Sequence, residues 1–236
     1  MTDIKNYLSS NEYPGRGIAA GLTEDKKSAF LAYFIMGRSV NSRNRIFVKD
    51  GETVRTKAFD ESKMKDPSLI IYAPVRVFNN TVIVTNGDQT DTVYDFLSAG
   101  KSFEEALRTR RFEPDEPNYT PRISCAAQIK DGALTYKMSI IKSAYADGLS
   151  CDHFFYEYSQ PQSGKAHIIH TYECNGNPIP SFKGEPVEFA VPGSTASECG
   201  DVIWNSLNSD NKVSLLVRFV PLSGEKATTI IYNKNI

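Results

Sequence analysis

The chain has 236 residues, 40% of them hydrophobic and 23% charged, with a formal net charge of −1. That length can bury a sizeable core, and near-neutrality gives no electrostatic drive toward nucleic acid or an anionic membrane. Neither a bilayer-spanning apolar run nor a signal-peptide core is present, so a cytoplasmic protein is expected. Cys125, Cys151, Cys174 and Cys199 lie too far apart for a local zinc knuckle and do not form a disulfide framework.

In chain order, residues 1–12 read as a polar leader. Tyr13-Pro14-Gly15-Arg16-Gly17-Ile18 is a proline-glycine turn with an arginine at its centre. The aromatic, apolar run Ala29–Met36 predicts a strand buried on both faces. After it, Gly37 to Arg45 carries Arg38, Arg43 and Arg45 among serines and asparagines. The planar forks of such arginines suit a phosphate; a flexible basic loop would look the same. Ile46–Val48 and Thr53–Phe59 predict a hairpin through Asp50-Gly51, and Ser68–Phe78 a longer strand in which Pro74 marks an edge or bulge.

The stretch Thr81 to Arg122 then places a strand, Thr81–Thr85, before Asn86-Gly87, a dipeptide favouring positive φ. Polar residues Asp88 to Thr92 lead into a helix that ends at Gly100. Ser102 and Glu105 form a capping box for a second helix running to about Arg111. Strands follow at Arg122–Ile129, Leu134–Ala144, His153–Tyr158, Ala166–Glu173, Val187–Ala190, Lys212–Val220 and Ala227–Tyr232. One helix, at about Ser194–Leu207, carries the sole tryptophan, Trp204. Strands and helices do not alternate, so an α+β arrangement of largely antiparallel sheets is expected, as one domain over residues 1–236.

No Walker loop, dinucleotide fingerprint, serine elbow or zincin motif is present. His167 and His170 lie three apart in a probable strand and point to opposite faces, which disfavours a shared metal. Asp115-Glu116 offers acid–base chemistry, but adjacent side chains of an extended segment point apart, so one of the two faces a site.

Taken together, Tyr13-Pro14-Gly15-Arg16, Gly37-Arg38-Ser39, Tyr72-Ala73-Pro74-Val75-Arg76-Val77, Thr85-Asn86-Gly87-Asp88-Gln89-Thr90-Asp91-Thr92 and Thr120-Pro121-Arg122-Ile123 resemble the archaeal-type IMP cyclohydrolase family in order and spacing. The resemblance covers about residues 13 to 145. It is looser beyond, where Gly184-Glu185-Pro186 and Trp204 suggest a bacterial branch. It implies closure of 5-formamidoimidazole-4-carboxamide ribonucleotide to IMP with loss of water. It also implies the four-layer α-β-β-α sandwich of N-terminal-nucleophile hydrolases without self-cleavage, and no metal or organic cofactor. Arg38, Tyr72, Glu116 and Asp115 are then expected to be catalytic, with Glu116 preferred over Asp115 as the proton acceptor. Arg16, Asn86, Gly87, Asp88, Thr90, Asp91, Thr120 and Arg122 are expected to bind the purine nucleotide, Arg122 at its phosphate.

Two other classes stay open at this point. An amide hydrolase of the N-terminal-nucleophile kind would need Thr2, or self-cleavage before Cys125 or Cys151. A nucleotide-binding protein would keep the phosphate site without the chemistry. Homo-oligomerisation is left open by the sequence.

Overall fold

The computed structural model describes residues 1–64, 67 and 69–236. The chain opens with helix α1 (Ile4–Ser9), then strands β1 (Arg16–Leu22) and β2 (Ser28–Met36). A helical turn, α2 (Val40–Arg43), leads into β3 (Arg45–Asp50) and β4 (Thr53–Ala58), followed by β5 (Val75–Phe78) and β6 (Thr81–Thr85). Helices α3 (Gln89–Ser98) and α4 (Phe103–Arg108) precede β7 (Arg122–Lys130), β8 (Ala133–Ser143), β9 (Cys151–Tyr158), β10 (Lys165–His170) and β11 (Val187–Ala190). Helix α5 (Ala196–Ser206) and the hairpin of β12 (Lys212–Pro221) and β13 (Thr228–Asn233) complete it.

Among the described residues the strands form two antiparallel sheets, ordered β11-β10-β1-β2-β12-β13 and β3-β4-β5-β6-β7-β8-β9. The α+β expectation therefore holds. Strand β2 shows how sequence builds this arrangement. With a period of two, Ala29, Leu31, Tyr33 and Ile35 enter the core shared with the second sheet. Phe30, Ala32, Phe34 and Met36 pack on the other side, against residues of α1 and α5. A strand buried on both faces needs no polar alternation, hence its continuous apolar run. Gly17 is dictated by the same packing, since a Cβ there would meet the Phe34 ring at 2.2 Å. Helices α3 and α4 cover the outer face of the second sheet through Val93, Phe103, Ala106 and Leu107 on Ile83, Ala126 and Ile141.

One seam between the sheets is fastened by a side chain. The Asn233 amide accepts from the Phe47 N–H at 2.8 Å and donates to the Phe47 carbonyl at 3.0 Å, as a neighbouring strand's backbone would.

Three expectations need correction. The polar leader contains α1, which Asp3 caps and which buries Ile4 and Leu8 against the first sheet. The strand expected over 68–78 is limited to Val75–Phe78; Ser68 lies outside the described residues, and Tyr72 sits in a bend. Its main chain bonds to Thr56 instead, the Thr56 N–H donating to the Tyr72 carbonyl at 2.9 Å. Neither Asn86 nor Gly87 has positive φ. Gly87 is needed for close approach, because a Cβ there would lie 2.6 Å from the Arg122 guanidinium.

Candidate active site

The antiparallel order brings the starts of β1, β3 and β7 and the ends of β2, β6 and β10 to one end of the molecule. The connections at this end are the long ones and carry the charged residues singled out in the sequence. The opposite end consists largely of hairpin turns.

At the loop end a polar cluster is buried between the sheets. Arg16, the first residue of β1, is 8% exposed and its Nη2 stands 3.8 Å from a carboxylate oxygen of Glu113. Arg45, the first residue of β3, is fully buried. Its Nε donates to the Ser42 carbonyl at 2.8 Å, but neither Nη1 nor Nη2 has a partner. The Tyr72 hydroxyl lies 2.7 Å from that of Tyr33. Because Tyr33 projects from β2 into the shared core, the pair ties the Tyr72 bend to the first sheet.

The electrostatics mark these groups as mutually dependent. Burial pulls the Arg16 guanidinium down, but Glu113 and Tyr172, Tyr13 and Tyr72 together hold it well above its usual value. Burial raises the Glu113 carboxyl from its ordinary value even though Arg16, Arg122 and Arg45 pull it the other way. Desolvation lowers Arg45, with Tyr72 and Tyr33 opposing. Tyr72 is raised by burial against the fields of Arg45 and Arg16. A carboxyl raised toward neutrality beside two guanidiniums and a phenol can exchange a proton and stabilise a developing oxyanion in one place.

The side wall is built by residues 112–122. Asp115 accepts from the Thr120 N–H at 2.6 Å and also bonds the Thr120 hydroxyl, which lies 2.5 Å from the Tyr172 hydroxyl. Tyr172 stacks on Tyr13, and Arg38 lies over the Tyr13 ring at 5.1 Å. Arg38 is exposed, its Nη1 donating to the Asn175 side chain at 2.5 Å and the Gly176 carbonyl at 2.8 Å.

The structure thus gathers Arg16, Tyr72, Asp115 and Thr120 but treats other expected residues differently. Glu116 is exposed and lines a separate recess of about 510 Å³ with Phe112, Pro114 and Arg122. Burial alternates along 113–116, with Glu113 buried, Asp115 half-buried, and Pro114 and Glu116 exposed, so the buried carboxylate is Glu113. Arg122 is committed: its Nε donates to the Arg111 carbonyl, and its Nη1 to Asp88 at 2.8 Å and Gln89 at 2.7 Å. Asp88 is shared with Arg110, which leaves it a bracing group. Asn86 braces the same corner, accepting from the Ile123 N–H and donating to the Pro121 carbonyl, each at 2.9 Å. The Thr90 hydroxyl is turned back onto Thr85 at 2.6 Å. Asp91 faces outward and pairs with Arg76 at 2.7 Å, whose guanidinium lies 3.4 Å from the Tyr94 ring centre.

The residues the sequence reading missed are Glu113, Arg45 as distinct from its neighbours, Tyr33, and Tyr172 beyond the region of strong resemblance. Elsewhere, His167 bonds the Tyr136 hydroxyl at 2.7 Å and His170 that of Tyr7 at 2.6 Å, from opposite faces of the sheet. Cys125 is fully buried within β7 and its thiol is pushed up by desolvation, which leaves it unsuited to attack.

Two antiparallel sheets thus bury an Arg–Tyr–Glu cluster at their loop ends, a set of groups able to act as acid, base and oxyanion donor. The chain belongs to the family of IMP cyclohydrolase-like proteins, whose model matches residues 13–224, well past the stretch where the motifs are dense. It is 26% identical over 222 residues to the IMP cyclohydrolase of Methanocaldococcus jannaschii, covering 92% of this chain and 98% of the relative. The Methanopyrus kandleri IMP cyclohydrolase is 29% identical over 68% of this chain and 75% of its own length. That of Methanococcus maripaludis strain C7 is 31% identical over 69% of this chain and 76% of its own.

Proposed function

We propose that this protein is an IMP cyclohydrolase, closing 5-formamidoimidazole-4-carboxamide ribonucleotide to IMP and water in one domain over residues 1–236. The observation that carries the chemistry is the pairing of an unpartnered buried guanidinium, Arg45, with the buried Glu113 carboxyl across Arg16 and Tyr72. The four layers α-β-β-α support an N-terminal-nucleophile-hydrolase-like fold used without self-cleavage.

In the reaction the carboxamide nitrogen bonds to the formyl carbon and gives up a proton, while the formyl oxygen gains one to become a hydroxyl. That hydroxyl then departs with a second proton as water, as the formamido nitrogen loses its hydrogen and the ring double bond forms. A carboxamide is a weak nucleophile, so holding the two groups coplanar and in contact supplies much of the acceleration. Glu113 accepts the nitrogen's proton and returns it to the departing oxygen. Burial raises its affinity for protons above that of an ordinary carboxyl, which favours its holding the proton between the two transfers. Arg16 holds Glu113 in place. The Arg45 Nη atoms and the Tyr72 hydroxyl, steadied by Tyr33, receive the formyl oxygen as its charge develops. Arg38, which is exposed, receives the 5′-phosphate through the nitrogens that do not bond Asn175 and Gly176, whereas Arg122 is buried with its Nε and Nη1 engaged.

The test is conversion of the formamido ribonucleotide to IMP, followed by ultraviolet absorbance with purified protein. Turnover that Glu113→Gln abolishes while IMP still binds supports the assignment. Binding of IMP with no turnover by the unaltered protein would establish a nucleotide-binding protein instead. Arg38→Ala is expected to weaken IMP far more than inosine; equal losses would remove Arg38 from the phosphate.

A further inference from the structure

At the end opposite the cluster the sheets leave a cavity of about 490 Å³ between them. Val77, Val82 and Ile129 of one sheet, and Val220 and Leu222 beside the other, supply apolar walls. Arg218 of β12 also lines it, and its side chain is only 2% exposed. The guanidinium Nη1 donates to the Glu52 carbonyl at 2.7 Å and Nη2 contacts the Glu52 carboxylate, but Nε has no partner. Thr229, opposite Arg218 in the β12–β13 ladder, likewise has a buried hydroxyl without a partner.

The two members of this ion pair are unequally placed. Arg218 is interior, whereas the Glu52 side chain, in the β3–β4 turn, is 46% exposed. Stripping a buried cation of its counterion is costly, but a half-exposed carboxylate can be released to water cheaply. An incoming anion that replaces Glu52 leaves Arg218 compensated throughout. Asp131, Glu225 and Lys226 also line the cavity, all three exposed; solvent and salt screen such exposed charges, so the interior cation decides the selectivity. One guanidinium fork matches one carboxylate, and the walls match an apolar body.

We propose that this cavity is a second ligand site, which takes a small amphiphilic monocarboxylate whose acid group displaces that of Glu52 from Arg218. It is built from residues the cyclohydrolase chemistry does not use, so the two proposals stand or fall separately.

The experiment titrates the full chain with octanoate, and with octylamine and octanol as controls, by calorimetry and by chemical-shift changes. Saturable octanoate binding is expected, with shifts at Val77, Val82 and Leu222, and none from octylamine. Glu52→Gln removes the internal competitor and is expected to tighten octanoate about tenfold, since Arg218 then spends more of its time available. Arg218→Met, checked for folding by circular dichroism, is expected to abolish binding. If that variant does not fold, the opposite-direction effect of Glu52→Gln still decides the matter. Absence of binding to both the unaltered protein and Glu52→Gln, equal binding of octylamine, or weaker binding in Glu52→Gln would overturn the proposal.

Discussion

Both ends of the sandwich bury arginine, and they treat it in opposite ways. At the loop end Arg45 is fully enclosed with two nitrogens unpartnered, and Arg16 meets its carboxylate at 3.8 Å, beyond hydrogen-bonding distance. At the hairpin end both Nη atoms of Arg218 are satisfied by Glu52. A buried cation without a counterion is expensive, and a stability-optimised core would replace it with an apolar side chain. Its retention at one end supports the oxyanion role proposed for Arg45. The paired version at the other end costs less and is opened by exchange of one carboxylate for another.

The comparison is broken most severely by removing the loop-end chemistry. Glu113→Gln and Tyr72→Phe are each expected to lower kcat about 100-fold to 10,000-fold, with product affinity nearly unchanged, measured by steady-state turnover and IMP titration. Comparable loss of IMP binding would make these residues structural.

Acid sensitivity comes next. Burial depresses His170 from its usual 6.5 to about 4, so the folded protein holds it neutral. Between those values the unfolded chain binds the extra proton. Stability from this residue is therefore full above pH 6.5 and lost as pH falls toward 4, about 3 kcal/mol in all. Glu113, raised by burial, acts with the opposite sign, favouring the fold at low pH and losing that advantage as pH rises above the ordinary carboxylate value. Urea unfolding of wild type and His170→Gln across this range isolates the histidine. Parallel curves would dismiss it.

A smaller but more pointed test replaces each arginine by methionine. Arg45→Met is expected to raise stability by about 1–3 kcal/mol while destroying turnover, because it removes an uncompensated buried charge. Arg218→Met is expected to lower stability by about 1–3 kcal/mol, through loss of its charge-assisted bonds, and to leave turnover intact. Same-sign shifts in thermal unfolding would show that the two ends are not different in kind. The smallest effect is expected at Asp91→Asn, under about 1 kcal/mol, with no change in rate, since its partner Arg76 is at the surface.

Much of the framework was readable from the chain. The unbroken apolar run of β2 required burial on both faces, and Asp50-Gly51 announced its hairpin. Helix α1 was also encoded, in an Asp3 cap with Ile4, Tyr7 and Leu8 at helical spacing, but six residues among polar neighbours carry little periodic signal. The site was half legible. Alternation correctly required that Asp115 and Glu116 point apart. Extending the same parity two residues back would have reached Glu113, which a search confined to the acidic pair left out. Choosing Arg45 from Arg38, Arg43 and Arg45 needed the start of β3, a boundary that local sequence defines poorly. Tyr33 and Tyr172 enter through tertiary contact, from a core strand and from a segment far along the chain, and no local pattern marks them.

The bond between Asn233 and Phe47 has a consequence for inheritance and for engineering. Arg45 sits two residues before Phe47, and Asn235 donates to the Arg43 carbonyl at 2.8 Å, so the polypeptide on both sides of Arg45 is tethered to the last few residues of the sequence. Substitutions at Asn233 or Asn235 are therefore expected to lower turnover through the Arg45 role proposed above, although they lie nearly two hundred positions from that guanidinium. In a deep mutational scan Asn233 and Asn235 are expected to score with the proposed site and not with the exposed turns.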